Sequence, residues 1–80
     1  MNKNQTLILN EISNNEENIT ETLRKISKNT NIPISTLKLN SQILKDLDLI
    51  EFGSSSKFQL AKLTDFGNDV LKIIGDDENE

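Results

Sequence analysis

A short break in a helical pattern, at residues 29–33, constrains this chain more than any other feature. Apolar residues recur at helical spacing over residues 19–26, and a second helical pattern covers residues 34–47. Asn31 tolerates the left-handed backbone that ends many helices, and Pro33 disfavours a helical conformation in the residue before it. The sequence therefore predicts two helices joined by a turn of about four residues.

The rest of the chain contains two further helical patterns and one strand-like region. A first helix is expected over residues 4–13, and a last helix from Thr64 to Gly75, with Gly75 as the residue that ends it. Residues 49–52 and 57–60 are short and apolar or alternating, and they flank a Gly-Ser-Ser-Ser turn, which predicts a β-hairpin. The expected fold class is α+β, with a helix-turn-helix pair followed by a hairpin and a fourth helix.

Three segments carry a resemblance to a known family: residues 26–37, residues 44–51 and Leu63–Gly67. The first has an apolar-small pair, a turn ending in Ile-Pro, and then Ser-Thr-Leu. The second reads Leu-Lys-Asp-Leu-Asp-Leu-Ile-Glu, and the third reads Leu-Thr-Asp-Phe-Gly. In this order they resemble the winged helix-turn-helix superfamily, as found in small bacterial and archaeal transcriptional regulators. The resemblance implies a three-helix core, a two-stranded wing at residues 51–60, a C-terminal fourth helix, and residues 34–47 as the recognition helix of a sequence-specific DNA-binding protein.

The third helix departs from the family pattern in the placement of its apolar residues. Ser41 stands where the family usually has Leu, whereas Leu39 and Ile43 stand where side chains usually face solvent. At about 100° per residue, the apolar residues span a broad arc and the polar ones, Ser41 included, fill the opposite arc. We therefore expect a rotated helix or an unusually wide apolar face. Asn31 and Asp48 replace glycines of the pattern, and both residue types tolerate the left-handed conformation.

Charge is distributed unevenly along the chain. The formal net charge is −4, and four of the 13 acidic residues lie in residues 76–80. The segment Thr22–Lys45 contains five cations and no carboxylate, which marks it as a candidate surface for double-stranded DNA. A solvated Lys-rich face is the alternative. Residues 1–75 are predicted to form the single domain, and residues 76–80 a disordered acidic tail.

If double-stranded DNA is the ligand, the residue types of this region indicate separate roles. Ser35, the expected N-cap of the third helix, and Thr36 can bind a phosphate. Lys38 and Gln42 lie four residues apart and can reach base edges. The other cations are expected to contact phosphates or, from the wing, the minor groove. The predicted DNA-binding residues are Arg24, Lys28, Ser35, Thr36, Lys38, Gln42, Lys45 and Lys57. For each lysine, a solvated surface charge is the alternative.

The last helix carries a wide apolar stripe formed by Phe66, Val70, Ile73 and Ile74. Such a stripe on a terminal helix favours a homodimer that pairs through these residues. The alternative is that the same residues complete the core of a monomer.

The absence of two residue types limits the chemistry that the chain can perform. It contains no Cys and no His, which removes disulfides, thiolate chemistry, His-based triads and zinc fingers. We expect no enzymatic activity, no cofactor and no metal. No apolar run reaches the roughly 20 residues of a membrane span, and the polar N-terminus lacks a signal-peptide pattern, so a cytoplasmic protein without a membrane partner is expected.

Two other functions remain open at this level. Leu39 and Ile43, the few aromatic residues and the acidic tail would also fit a winged-helix protein-interaction module that does not bind DNA. An effector-sensing role is the third alternative, although no pattern in the sequence indicates a ligand pocket.

Overall fold

The computed structural model describes residues 1–53 and 60–78 and has the expected α+β composition. Four helices and one two-stranded antiparallel sheet follow one another along the chain. They are α1 (Lys3–Asn14), α2 (Ile19–Thr30), α3 (Ile34–Asp46), β1 (Ile50–Glu51), β2 (Lys62–Leu63) and α4 (Asp65–Glu78). Within the described ranges, no helix is both long enough and apolar enough to cross a membrane.

The turn between α2 and α3 is held by local hydrogen bonds. Asn31 adopts the expected left-handed conformation, with φ 62°, and its N–H donates to the Ser27 carbonyl at 2.8 Å. The Ser27 hydroxyl donates to the Ile32 carbonyl at 2.7 Å. The link is three residues long, Asn31–Pro33, one fewer than predicted. Ser35 lies inside α3 rather than at its N-cap, because α3 begins at Ile34 and no side chain caps it.

The second strand lies later in the sequence than predicted. Ile50 pairs with Leu63, and Glu51 pairs with Lys62, so β2 occupies residues 62–63. Leu60 is in no strand, and the remainder of the predicted strand, including Lys57, lies outside the described residues. The observed register is anchored because the Ala61 N–H donates to the Glu17 carbonyl at 2.8 Å. Sequence alternation around Phe58 carries no information about this long-range bond.

The core is built around α1, which contacts the other three helices and β2. Its buried apolar residues come from α1, α2, α3, β1 and the segments beside the strands, and Leu63 of β2 and Val70 and Leu71 of α4 pack against them. The buried apolar residues are Ile8, Leu9, Ile12, Leu23, Ile26, Leu37, Leu44, Leu49, Ile50 and Ala61. The expectation that Gly75 ends the last helix is wrong, because α4 continues through Glu78.

A buried amide connects the start of α1 to the middle of α3. Asn40 is 6% exposed, and its Oδ1 accepts from Asn2 Nδ2 at 3.1 Å and from Gln5 Nε2 at 3.2 Å. Its Nδ2 donates to the Thr36 carbonyl at 2.9 Å. Asn2 and Gln5 also form the capping box of α1. One network therefore caps α1 and fixes the rotation of α3 about its axis.

The junction between β2 and α4 depends on a glycine. A Cβ built on Gly67 would lie 1.9 Å from the Leu49 carbonyl oxygen, a backbone atom that cannot rotate away. The Gly67 N–H donates to the Thr64 hydroxyl at 2.9 Å, and that hydroxyl donates to the Asp48 carbonyl at 2.6 Å. The first turn of α4 therefore packs directly on backbone, and only glycine fits there.

Replacing Gly67 with Ala is expected to lower the free energy of unfolding by about 1–3 kcal/mol or more, because the added methyl forces α4 away from Leu49. Gly75→Ala is the matched control, since a Cβ there meets nothing within 4 Å. It should raise stability by up to about 1 kcal/mol through helix propensity. Urea denaturation followed by circular dichroism measures both. Equal stabilities for the two variants would contradict the close approach.

Asn40→Ala is expected to lower the free energy of unfolding by about 1–3 kcal/mol, because it removes all three hydrogen bonds of the buried amide. The same change at Asn10, which is exposed on α1, should change stability by only a few tenths of a kcal/mol. The same denaturation experiment compares them. If the Asn40 variant were no less stable than the Asn10 variant, the amide network would not be holding α3.

Candidate nucleic-acid interface

The inner face of α3 differs from the one that the apolar pattern predicts. Leu37, Asn40, Ser41 and Leu44 are buried, at the spacing of one helical face. Ser41 therefore does not belong to the outer arc, and the sequence expectation for this residue is wrong. Its hydroxyl donates to the Lys38 carbonyl at 2.8 Å, which satisfies the polar group inside the protein. In the sequence, residues 37, 40, 41 and 44 already have the spacing of one helical face. A search for apolar residues misses this face because Asn40 and Ser41 are polar.

The outer face of α3 carries three apolar side chains that the core does not use. Leu39 is 64% exposed, Ile43 37% and Leu47, just after the helix, 55%. The broad apolar arc is therefore divided. Leu37 and Leu44 lie in the core, whereas Leu39 and Leu47 remain exposed to solvent. Both Leu39 and Ile43 face outward, as the family resemblance implies for their positions.

Several predicted DNA-binding residues share this outer surface. Ser35, Lys38 and Gln42 are exposed. Thr36 is partly buried, and its carbonyl accepts a hydrogen bond from Asn40 Nδ2. Gln42 Nε2 donates to Asp46 Oδ1 at 3.0 Å, so a carboxylate stands on the same face. Sequence reasoning missed this pair, although the i, i+4 spacing of Gln and Asp indicates it.

Lys45 lies at the edge of α3 and is oriented toward the segment that follows β1. Its Nζ is 4.5 Å from the centroid of the Phe52 ring, within the range of a cation–π interaction. The side chain is partly buried. This contact fixes the ammonium group of Lys45, while Lys57, its expected companion from the wing, lies outside the described residues.

The cations of α2 are less available than the acid-free segment suggests. Arg24 Nη1 lies 2.8 Å from Glu21 Oε1, and Lys25 pairs with Glu17. The hydrogen bond to Glu17 raises the pKa of Lys25 above its ordinary value. Both carboxylates precede residue 22 and escape a count that starts there. Within residues 1–53 and 60–78, Lys28 forms no ion pair, and neither does Lys38.

The apolar stripe of α4 that was predicted to form a dimer contains both exposed and partly buried residues. Phe66 is 55% exposed and Ile73 63%, whereas Val70 and Ile74 are partly buried. Val70 packs against the core. The two exposed residues lie seven apart, on one face of α4.

Comparison of the chain with models of protein families, with curated proteins and with solved structures finds no match.

Proposed function

We propose that this chain is a winged helix-turn-helix domain that binds double-stranded DNA with α3 as its recognition helix, and that it acts as a transcriptional regulator. The observation that carries the proposal is the outer face of α3. It is exposed from Ser35 to Asp46, follows a tight three-residue turn, and carries Lys38, which forms no ion pair within residues 1–53 and 60–78. A helix presented in this way can enter the major groove.

Phosphate contacts supply the affinity in this proposal. Lys28, near the end of α2, and Lys38, on α3, are exposed and free to meet phosphates. Arg24 can join them, because an exposed pair such as Arg24–Glu21 contributes only about 0–1 kcal/mol and is readily exchanged. No side chain caps the start of α3, which leaves the Ser35 hydroxyl and the first amides for a further phosphate. About four to six contacts would give a salt slope near −4 to −5.

A second function, a protein-interaction module, is favoured by one specific observation. Leu39, Ile43 and Leu47 form an exposed apolar row at i, i+4 and i+8. Rows of this kind bind apolar grooves or helices of partner proteins, and such binding depends weakly on salt. The salt dependence of duplex binding separates the two functions.

Neutralising Lys38 or Lys28 to Gln is expected to reduce the magnitude of the salt slope by about 0.9 for each lysine, because each phosphate contact releases about one counterion. Fluorescence anisotropy with a labelled random-sequence duplex, between about 50 and 200 mM salt, measures the slope. Lys72→Gln removes the same charge from α4 and should leave it unchanged. If Lys72→Gln had the same effect, α3 would not be the interface. If no duplex bound at the lower salt, the DNA proposal would fail and the protein-interaction module would replace it.

We also propose that two copies pair through α4. Replacing Phe66 and Ile73 together with Glu is expected to convert a dimer into a monomer of 9.0 kDa, since both side chains face solvent in the single chain. Light scattering after size exclusion measures the mass. Lys72→Glu changes the net charge by the same two units on another face of α4, and it should remain dimeric. A monomeric parent protein would refute the pairing.

A further inference from the structure

We infer that α3 prefers A·T base pairs, because Leu39 and Ile43 would lie against thymine methyl groups in the major groove. The inference rests on the proposed DNA binding and names the class of sequence that the same surface would select.

The centre of the outer face follows from the buried residues. At about 100° per residue, the direction opposite to Leu37 and Leu44 lies between Leu39 and Gln42. Both side chains are exposed. Lys38 lies to one side of this direction and Ile43 to the other. The part of α3 that would project deepest into a groove therefore contains Leu39 and Gln42 with Ser35 and Asp46 between them, and no cation.

This residue set is poorly suited to guanine. Guanine presents two acceptors, O6 and N7, which Arg or Lys normally contacts. Leu39 can form no hydrogen bond, and the thymine C5-methyl is the apolar group that a base offers in the major groove. Ile43, 37% exposed and one turn further along, extends the same apolar strip.

The Gln42–Asp46 hydrogen bond adds a preference for adenine. Gln42 uses one N–H of Nε2 on Asp46, at 3.0 Å. Its second N–H and its Oε1 remain, and these match the N7 acceptor and the N6 donor of adenine. Asp46 thereby acts as a positioning residue for Gln42. Thymine and adenine would be read by neighbouring side chains of one helix.

Charge complementarity favours DNA over a protein as the occupant of the apolar strip. Lys38 lies on the other side of the same exposed face, and Lys28 is exposed near the end of α2; neither forms an ion pair within residues 1–53 and 60–78. In duplex DNA the thymine methyls line a groove bordered by phosphates on both sides. An apolar strip that shares its helix face with a cation fits such a groove.

The experiment compares three duplexes of equal length at about 50 mM salt: one rich in A·T pairs, the same duplex with deoxyuridine in place of thymidine, and one rich in G·C pairs. Deoxyuridine keeps every hydrogen-bonding group and removes only the methyl. We expect the deoxyuridine duplex to bind roughly tenfold more weakly, which corresponds to about two methyl contacts, and the G·C duplex to bind more weakly still. Fluorescence anisotropy of the full chain measures all three affinities.

Leu39→Ala should bind the thymidine and deoxyuridine duplexes with closer affinities, because it removes the group that senses the methyl. Leu47→Ala is the matched control, since Leu47 is also exposed but lies beyond the C-terminal end of α3, and it should keep the preference. Equal binding of all three duplexes by the parent chain would overturn the inference and leave DNA binding intact. A loss of affinity in Leu39→Ala that is equal for the thymidine and deoxyuridine duplexes would also overturn it. Binding of no duplex would refute the DNA proposal itself.

Discussion

The contact between the Thr64–Gly67 turn and the corner after α3 is the constraint on which the rest of the fold depends. The Thr64 N–H donates to the Leu49 carbonyl at 3.1 Å, and the same carbonyl occupies the place of a Gly67 side chain. Asp48 must adopt φ 61° to turn the chain into β1 at this point. The corner therefore fixes the end of α3, the start of the sheet and the position of the first turn of α4. A change at any of these positions would be transmitted to the exposed face of α3.

The orientation of α3 opposes simple hydrophobic sorting. Burying Leu39 and Leu47 in place of Asn40 and Ser41 would gain about 1.5–3 kcal/mol for each leucine. The chain instead buries the two polar residues and satisfies them with hydrogen bonds, of which those of Asn40 reach the start of α1. Because those bonds are specific in direction, they favour the observed rotation of the helix over one that would bury these leucines. The exposed leucines are then left outside the core.

Sequence reasoning succeeded where the determinant is local and failed where it is tertiary. The left-handed residues Asn31 and Asp48 follow from residue type at a helix end, and both have the expected positive φ. The inner face of α3 was wrong because a count of apolar residues cannot see that Asn40 has partners 35 and 38 residues away. The position of β2 was wrong for the same reason, since its anchor is Glu17. The number of available cations in residues 22–45 was overestimated, because the carboxylates that pair with Arg24 and Lys25 lie just before that segment.

The scarcity of free cations connects the surface of α3 to that of α4. Two of the five cations in residues 22–45 form ion pairs and Lys45 lies over Phe52, so the counterion-release term of a single copy would give only modest affinity at physiological salt. A second copy doubles that term without any new contact to bases, provided that the two α3 helices reach half-sites about one helical turn apart. The exposed Phe66 and Ile73 offer a surface for such a pairing. In this arrangement the lysines of two copies would supply affinity, and the apolar strip of each α3 would supply selectivity.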